Sequence, residues 1–244
     1  MKTTILLLIL SFPAFAQDSA PSTKCAVKDN PKQEYFLIDP SGGKTPAAGY
    51  KLLLVLPGGD GSAEFNPFVT NIGRQAAGEE YLVAQLISVM WTPDQQVIWP
   101  TARAKADKMK FTTEEFIGAV INDVRRGRKI DSEHIYTLSW SSGGPAAYAA
   151  ALAIPEIKGS FVAMSVFKPD SMPPLSKAKG HRFYIYHSPD DKVCPMPMAE
   201  DFGALAAGER GSIAVVHIDG NGLGALVRTF FDGMKEKSDG EVAE

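Results

Sequence analysis

Cysteine is almost absent from this chain: Cys25 and Cys194 are the only two in 244 residues. Two thiols so far apart make neither a metal knuckle nor a disulfide framework; an oxidising compartment would allow them to pair, but the sequence does not place them close together. Histidine is nearly as scarce, at four, and no His/Asp/Glu cluster falls at metal-ligand spacing. No metal and no cofactor are expected. Basic clusters are missing too, and with a formal net charge of −3 nucleic acid is an unlikely kind of partner. Internal repeats and interdomain linkers are lacking, so the length fits one large domain. Nothing in the pattern fixes an oligomeric state.

Long apolar runs are lacking except near the start. Lys2, the apolar stretch 5–10 and Ala14-Phe15-Ala16 follow the order of a secretory signal peptide, with an A-x-A site and cleavage before Gln17. The apolar core is too short to span a bilayer stably. Cys25 is not preceded by a lipoprotein-type sequence. The expected organisation is a signal peptide at 1–16, a polar flexible lead-in at 17–33, one domain at 34–234 and a charged tail at 235–244. A secreted or periplasmic location follows, without stable membrane insertion.

What is present is an alternation of strands and helices. Residues 34–39 read as a short first strand. Residues 51–56 (KLLLVL) are continuously apolar, as a strand buried on both faces must be. The spacing predicts a helix over 66–77 and a buried strand over 81–87. Residues 90–110 are irregular. Thr112 with Glu115 fits a capping box, after which Phe116, Ile117, Val120, Ile121 and Val124 share one helical face. Strands are expected at 134–138, 159–165, 182–187 and 212–218. A helix carrying Ala204, Ala206 and Ala207 is expected between the last two. A last helix at 225–234 has Leu226, Phe230 and Met234 in one stripe. This order argues for a mostly parallel sheet with helices on both faces.

Three stretches at strand ends carry chemistry. Residues 57–62 (PGGDGS) form a glycine-rich turn able to aim backbone N–H groups at a developing oxyanion. A phosphate loop is excluded because no Gly-Lys-Ser/Thr ending follows; a simple tight turn is the plain alternative. Residues 139–143 (SWSSG) put Ser141 between small neighbours, on a turn from a β-branched strand into an alanine-rich helix. That is the spacing of a nucleophile elbow, with Ser139 where glycine is usual. Residues 187–195 (HSPDDKVCP) place two carboxylates after a strand, fit to orient a histidine or merely to cap a turn. Trp91, Trp99 and Trp140 are candidates for lining a pocket.

From residue 51 to residue 234 the chain resembles the α/β-hydrolase superfamily, specifically small serine esterases of the dienelactone-hydrolase and phospholipase/carboxylesterase type. LPGGDGS, TLSWSSGG and HSPDDKVCP carry the likeness. It implies a single-domain α/β-hydrolase fold, Ser141 as nucleophile and Asp191, rather than Asp190, as the acid. It implies the backbone N–H groups of Ser142 and Gly59 as oxyanion donors, and a small-molecule ester or acyl substrate. The likeness breaks at residues 220–224 (GNGLG), where the family shows a Gly-x-Gly-His-Gly type turn and this chain has Leu223 in place of the general base. His134 and His181 fall at the wrong end of the sheet, and His187 falls beside the acid loop. His217, six residues before Leu223, serves only if the chain bends unusually. A serine hydroxyl without a base is a poor nucleophile at neutral pH. Two readings stay open: a secreted serine esterase made weak by Leu223, and a non-catalytic relative that keeps the pocket to bind a ligand or protein.

Overall fold

The computed structural model describes residues 22–40, 42, 44–178, 180–188 and 191–194, together with the backbone of 212–217. Eight strands form one sheet: β1 (Ser22–Val27), β2 (Asn30–Ile38), β3 (Tyr50–Leu56), β4 (Tyr81–Leu86), β5 (Ile130–Trp140), β6 (Ile157–Ala163), β7 (Arg182–His187) and β8 (Ser212–His217). Their order is β1-β2-β4-β3-β5-β6-β7-β8. The β1–β2 and β2–β4 pairs are antiparallel, and every pair from β4 to β8 is parallel. A mostly parallel sheet was the expectation, and the sheet has that form.

The apolar run of β3 explains itself by alternation. Leu52, Leu54 and Leu56 enter a core with α2 (Thr113–Gly127) and α3 (Gly144–Ala153). Leu53 and Val55 enter a second core with Val69 and Ile72 of α1 (Asn66–Ile72). A strand covered on both faces has no position at which a polar side chain would meet water. Helix α3 is almost wholly buried, and its alanines let its backbone lie close against the sheet.

The capping box at α2 is formed. Glu115 N–H donates to Thr112 Oγ1 at 3.1 Å and Thr112 N–H donates to Glu115 Oε2 at 2.7 Å. All five residues of the expected apolar stripe are buried. Thr112→Ala removes one half of the box and should cost about 1 kcal/mol. A melting temperature lower by roughly 2–4 °C is the expected reading; an unchanged melting curve would count against the cap.

Two expectations need correction, and the question left open for the two cysteines is answered. Residues 22–33, placed in a flexible lead-in, are β1 and the start of β2, and the first strand of 34–39 is the latter part of β2. The polar composition misled because the stabilising contacts are non-local: the β1–β2 ladder, a Lys24–Glu34 ion pair at 3.0 Å, and Tyr35 donating to Asp123 Oδ2 of α2 at 2.8 Å. Burial and the neighbouring Asp123 charge push the Tyr35 phenol above its ordinary value, so it stays a donor. The strand expected at 159–165 runs Ile157–Ala163, because Met164 turns into the left-handed region at φ 46°. The two cysteines are free. Cys25 lies on the first strand of the sheet and Cys194 just past the seventh. Six strand spacings make about 29 Å at ~4.8 Å each, whereas a disulfide needs Cα atoms within roughly 7 Å. The segments 1–16 and 235–244 and the helices expected around 204–207 and 225–234 lie outside the described residues.

Candidate active site at the ends of the strands

Strand β5 delivers Ser141 through an abrupt turn. Trp140 is still extended, at φ −145° and ψ 155°. Ser141 then takes φ 49°, a value that L side chains rarely adopt, and a short 3-10 turn over Ser141–Gly143 runs into α3. Such backbone strain costs about 1–3 kcal/mol and persists only where the surroundings over-determine it. Gly143 supplies part of that constraint, since a Cβ there would lie 2.3 Å from the Leu56 carbonyl oxygen of β3. A Cβ at Gly144 would lie 2.0 Å from Ser165 Oγ. Ser165 in turn donates to the Ser141 carbonyl at 2.6 Å. Ser139, in the usual glycine position, is fully buried, with its Oγ 3.5 Å from the Phe161 carbonyl of β6. The Ser141 side chain stands exposed, and none of its hydrogen bonds goes to a described residue.

The glycine-rich turn after β3 sits directly against this elbow. Gly59 and Gly61 have φ 60° and 66°, which glycine adopts without steric cost. Each carbonyl from 57 to 62 accepts a bond. Trp99 Nε1 donates to Pro57 O at 2.9 Å, Gly61 N–H to Gly58 O at 3.0 Å, and Ser142 Oγ to Gly59 O at 2.7 Å. Ser88 Oγ donates to Asp60 O, Ser88 N–H to Gly61 O at 2.9 Å, and Gln85 Nε2 to Ser62 O at 3.3 Å. With the oxygens turned into the protein, Gly59 N–H has no acceptor among the described residues. Ser142 N–H lies in the first turn of its helix, where no intrahelical acceptor exists. Two free donors beside an exposed serine are what an oxyanion requires.

A cleft of about 410 Å³ opens beside Ser142, lined among others by Gln96, Trp99, Thr101, Lys168 and Met172. Of the three tryptophans considered, Trp99 lines this cleft. Trp91 packs edge-on against Phe111 at 4.9 Å. Trp140 lies against Gly58, and Phe65 and Phe68 meet it edge-on at 5.5 and 5.4 Å. A hollow of about 440 Å³ lined by His134, Lys158 and Arg182 lies at the opposite end of the strands.

The loop after β7 brings Asp191 to the same end of the sheet as Ser141, two strands away. Its Oδ1 accepts from Val193 N–H at 2.8 Å and Cys194 N–H at 2.9 Å. One carboxylate oxygen therefore caps the turn, and Oδ2 is not engaged by a described residue. His187 ends β7 fully buried, its Nε2 donating to the Cys194 carbonyl and its Nδ1 without a partner among the described residues. It braces the loop that carries Asp191. His134 Nδ1 pairs with Asp131 Oδ2 at 2.7 Å. His181 precedes β7 at the far end, its pKa lowered by burial first and by the Lys158 charge second. None of these three is bonded to Ser141. The backbone of His217 is level with His187 at the end of β8, while Asp190 and Leu223 lie outside the described residues. Among the described residues no group of three His, Cys, Asp or Glu is placed to hold a metal ion. Sequence reading missed Ser165, Gln85, Ser88 and the Ser142 hydroxyl, because a serine or glutamine supporting a loop carries no local signature.

No family model and no curated protein matches this chain. Solved structures do match. A truncated carbohydrate esterase from gut microbiota is 13% identical, with a TM-score of 0.67, covering 92% of this chain and 99% of that one. Thermogutta terrifontis esterase 2, phosphonylated by sarin, is 11% identical with a TM-score of 0.63, covering 94% and 99%. A Klebsiella pneumoniae protein assigned as a dienelactone hydrolase is 12% identical with a TM-score of 0.62, covering 82% and 85%. At these identities the likeness is one of fold: the chain has the α/β-hydrolase fold.

Proposed function

Starting from this fold and the exposed serine on its sharpest turn, we propose an exported serine hydrolase that transfers the acyl group of small carboxylic esters to Ser141 and then to water. The observation that carries the reading is the juxtaposition of Ser141, strained and exposed, with the unengaged N–H groups of Ser142 and Gly59. Ser141 Oγ attacks the ester carbonyl, whose oxygen becomes an oxyanion facing those two donors. The alcohol leaves, and water repeats the attack on the acyl-enzyme. The cleft beside Ser142 takes one side of the ester. Asp191 is the acid. The base position of the resembled family is Leu223, so the hydroxyl is poorly activated and turnover is slow. Loss of one triad member can still leave about 10³ to 10⁴-fold over water through the oxyanion site and binding. The second reading, a non-catalytic ligand or partner binder, draws on that same leucine and on the absence of a bond from His134, His181 or His187 to Ser141.

Hydrolysis of p-nitrophenyl butyrate by the mature chain separates the two. Slow release of p-nitrophenol that falls to background in Ser141→Ala is the expected result. A Ser141→Ala variant as active as wild type would sink the acyl-transfer reading.

A further inference from the structure

We infer that the Ser142 hydroxyl is a positioning group that locks the two oxyanion donors to each other. The inference rests on the acyl-transfer reading of Ser141. The residues proposed to supply the two N–H groups, Ser142 and Gly59, are tied by a hydrogen bond of 2.7 Å from Ser142 Oγ to the Gly59 carbonyl. Of the bonds that anchor the carbonyls of 57–62, this is the one that comes from the elbow; the others come from the turn itself, from Gln85 and Ser88, and from Trp99. It therefore fixes the turn to the nucleophile rather than to the rest of the sheet.

The bond falls where the turn most needs it. Gly59 sits at φ 60°, and without a Cβ its own φ and ψ vary at little cost, so the residue does not by itself hold its N–H and its carbonyl in place. Rotation about these bonds would re-aim the Gly59 N–H and swing its carbonyl dipole towards the place where negative charge develops. The Ser142 bond resists it. Because an oxyanion exists only after attack, the effect belongs to the transition state: kcat should fall and KM should hold.

The test uses the full mature chain as wild type, Ser142→Ala and Ser142→Thr, with two readouts. One is p-nitrophenyl butyrate kinetics. The other is affinity for phenylboronic acid: boron accepts the Ser141 oxygen, the hydroxyl proton leaves to water, and the tetrahedral boronate carries its negative charge into the oxyanion site. Ser142→Ala should lower kcat about tenfold at constant KM and weaken boronate binding by a similar factor. That is less than the ~10²–10³ lost when a donor itself is removed. Ser142→Thr restores the hydroxyl and should recover both. A Ser142→Ala variant equal to wild type in kcat and boronate affinity overturns the inference, as does one that changes KM alone. Absence of Ser141-dependent turnover together with boronate binding that weakens in Ser142→Ala overturns the hydrolase reading and supports the positioning role. A wild type that binds no boronate and shows no Ser141-dependent turnover overturns both.

Discussion

Gly143→Ala should destabilise the protein by about 3 kcal/mol or more, the upper range for forcing atoms into a packed site. The Gly143 backbone is ordinary, at φ −76°, so conformational strain is not the cause. Space is. A methyl carbon 2.3 Å from the Leu56 carbonyl oxygen cannot be relieved by a rotamer change, because both the helix start and β3 are backbone. The start of α3 would have to lift off the sheet, and the turn at Ser141 would relax with it. Thermal unfolding should show a drop of roughly 6–12 °C. Gly118→Ala is the matched control: nothing lies within 4 Å of a Cβ at that α2 position, and the change should add about 0.5–1 kcal/mol through helix propensity. If Gly143→Ala melts with wild type, the close approach of α3 to β3 is not what sets the elbow.

Leu223→His should raise ester turnover by about 10²-fold, the usual contribution of a positioned base. The expectation comes from the resemblance of residues 220–224 to a histidine-bearing turn, flanked by Gly222 and Gly224. By that resemblance, a histidine at 223 is the group that would link Asp191 to Ser141. Adding Ser141→Ala should abolish the gain, which ties it to the nucleophile. A turn adapted to leucine can hold the ring in the wrong tautomer or orientation, and the gain then shrinks. If wild type already turns over esters briskly and Leu223→His adds nothing, another residue supplies the base. His217 would be the first to mutate.

The parts of the fold legible in the sequence are those whose cause is local. Five consecutive apolar residues in KLLLVL have one physical explanation, burial on both faces, and β3 is buried so. Thr112 and Glu115 announce a helix start because the two bonds of the box lie within four residues. Ser141 was legible as the centre of a turn because small residues on both sides are needed where strand and helix backbones nearly touch. The edge hairpin was not legible. Its residues are polar, and what holds them is a ladder and a Tyr35–Asp123 bond across 88 residues. Nor does the sequence separate a turn-capping Asp191 from one that orients a base, since both call for a carboxylate at a strand end. His187 shows the same limit: its position beside the acid loop was readable, but that it spends its Nε2 on the Cys194 carbonyl depends on how the loop folds back.

The β1–β2 hairpin also bears on self-association. β1 is the outermost strand at its side of the sheet, largely exposed, and it carries Lys24 and an irregular register between Ala26 and Val27. Charge, shortness and a broken register are the features that stop a bare strand from recruiting another chain. β2 beneath it is nine residues long and ends in Tyr35-Phe36-Leu37-Ile38. Without β1, that strand would offer its backbone as a template for self-association. Residues 22–27 thus act as a guard against aggregation, and a recombinant version trimmed at residue 28 should self-associate at concentrations where the full chain does not.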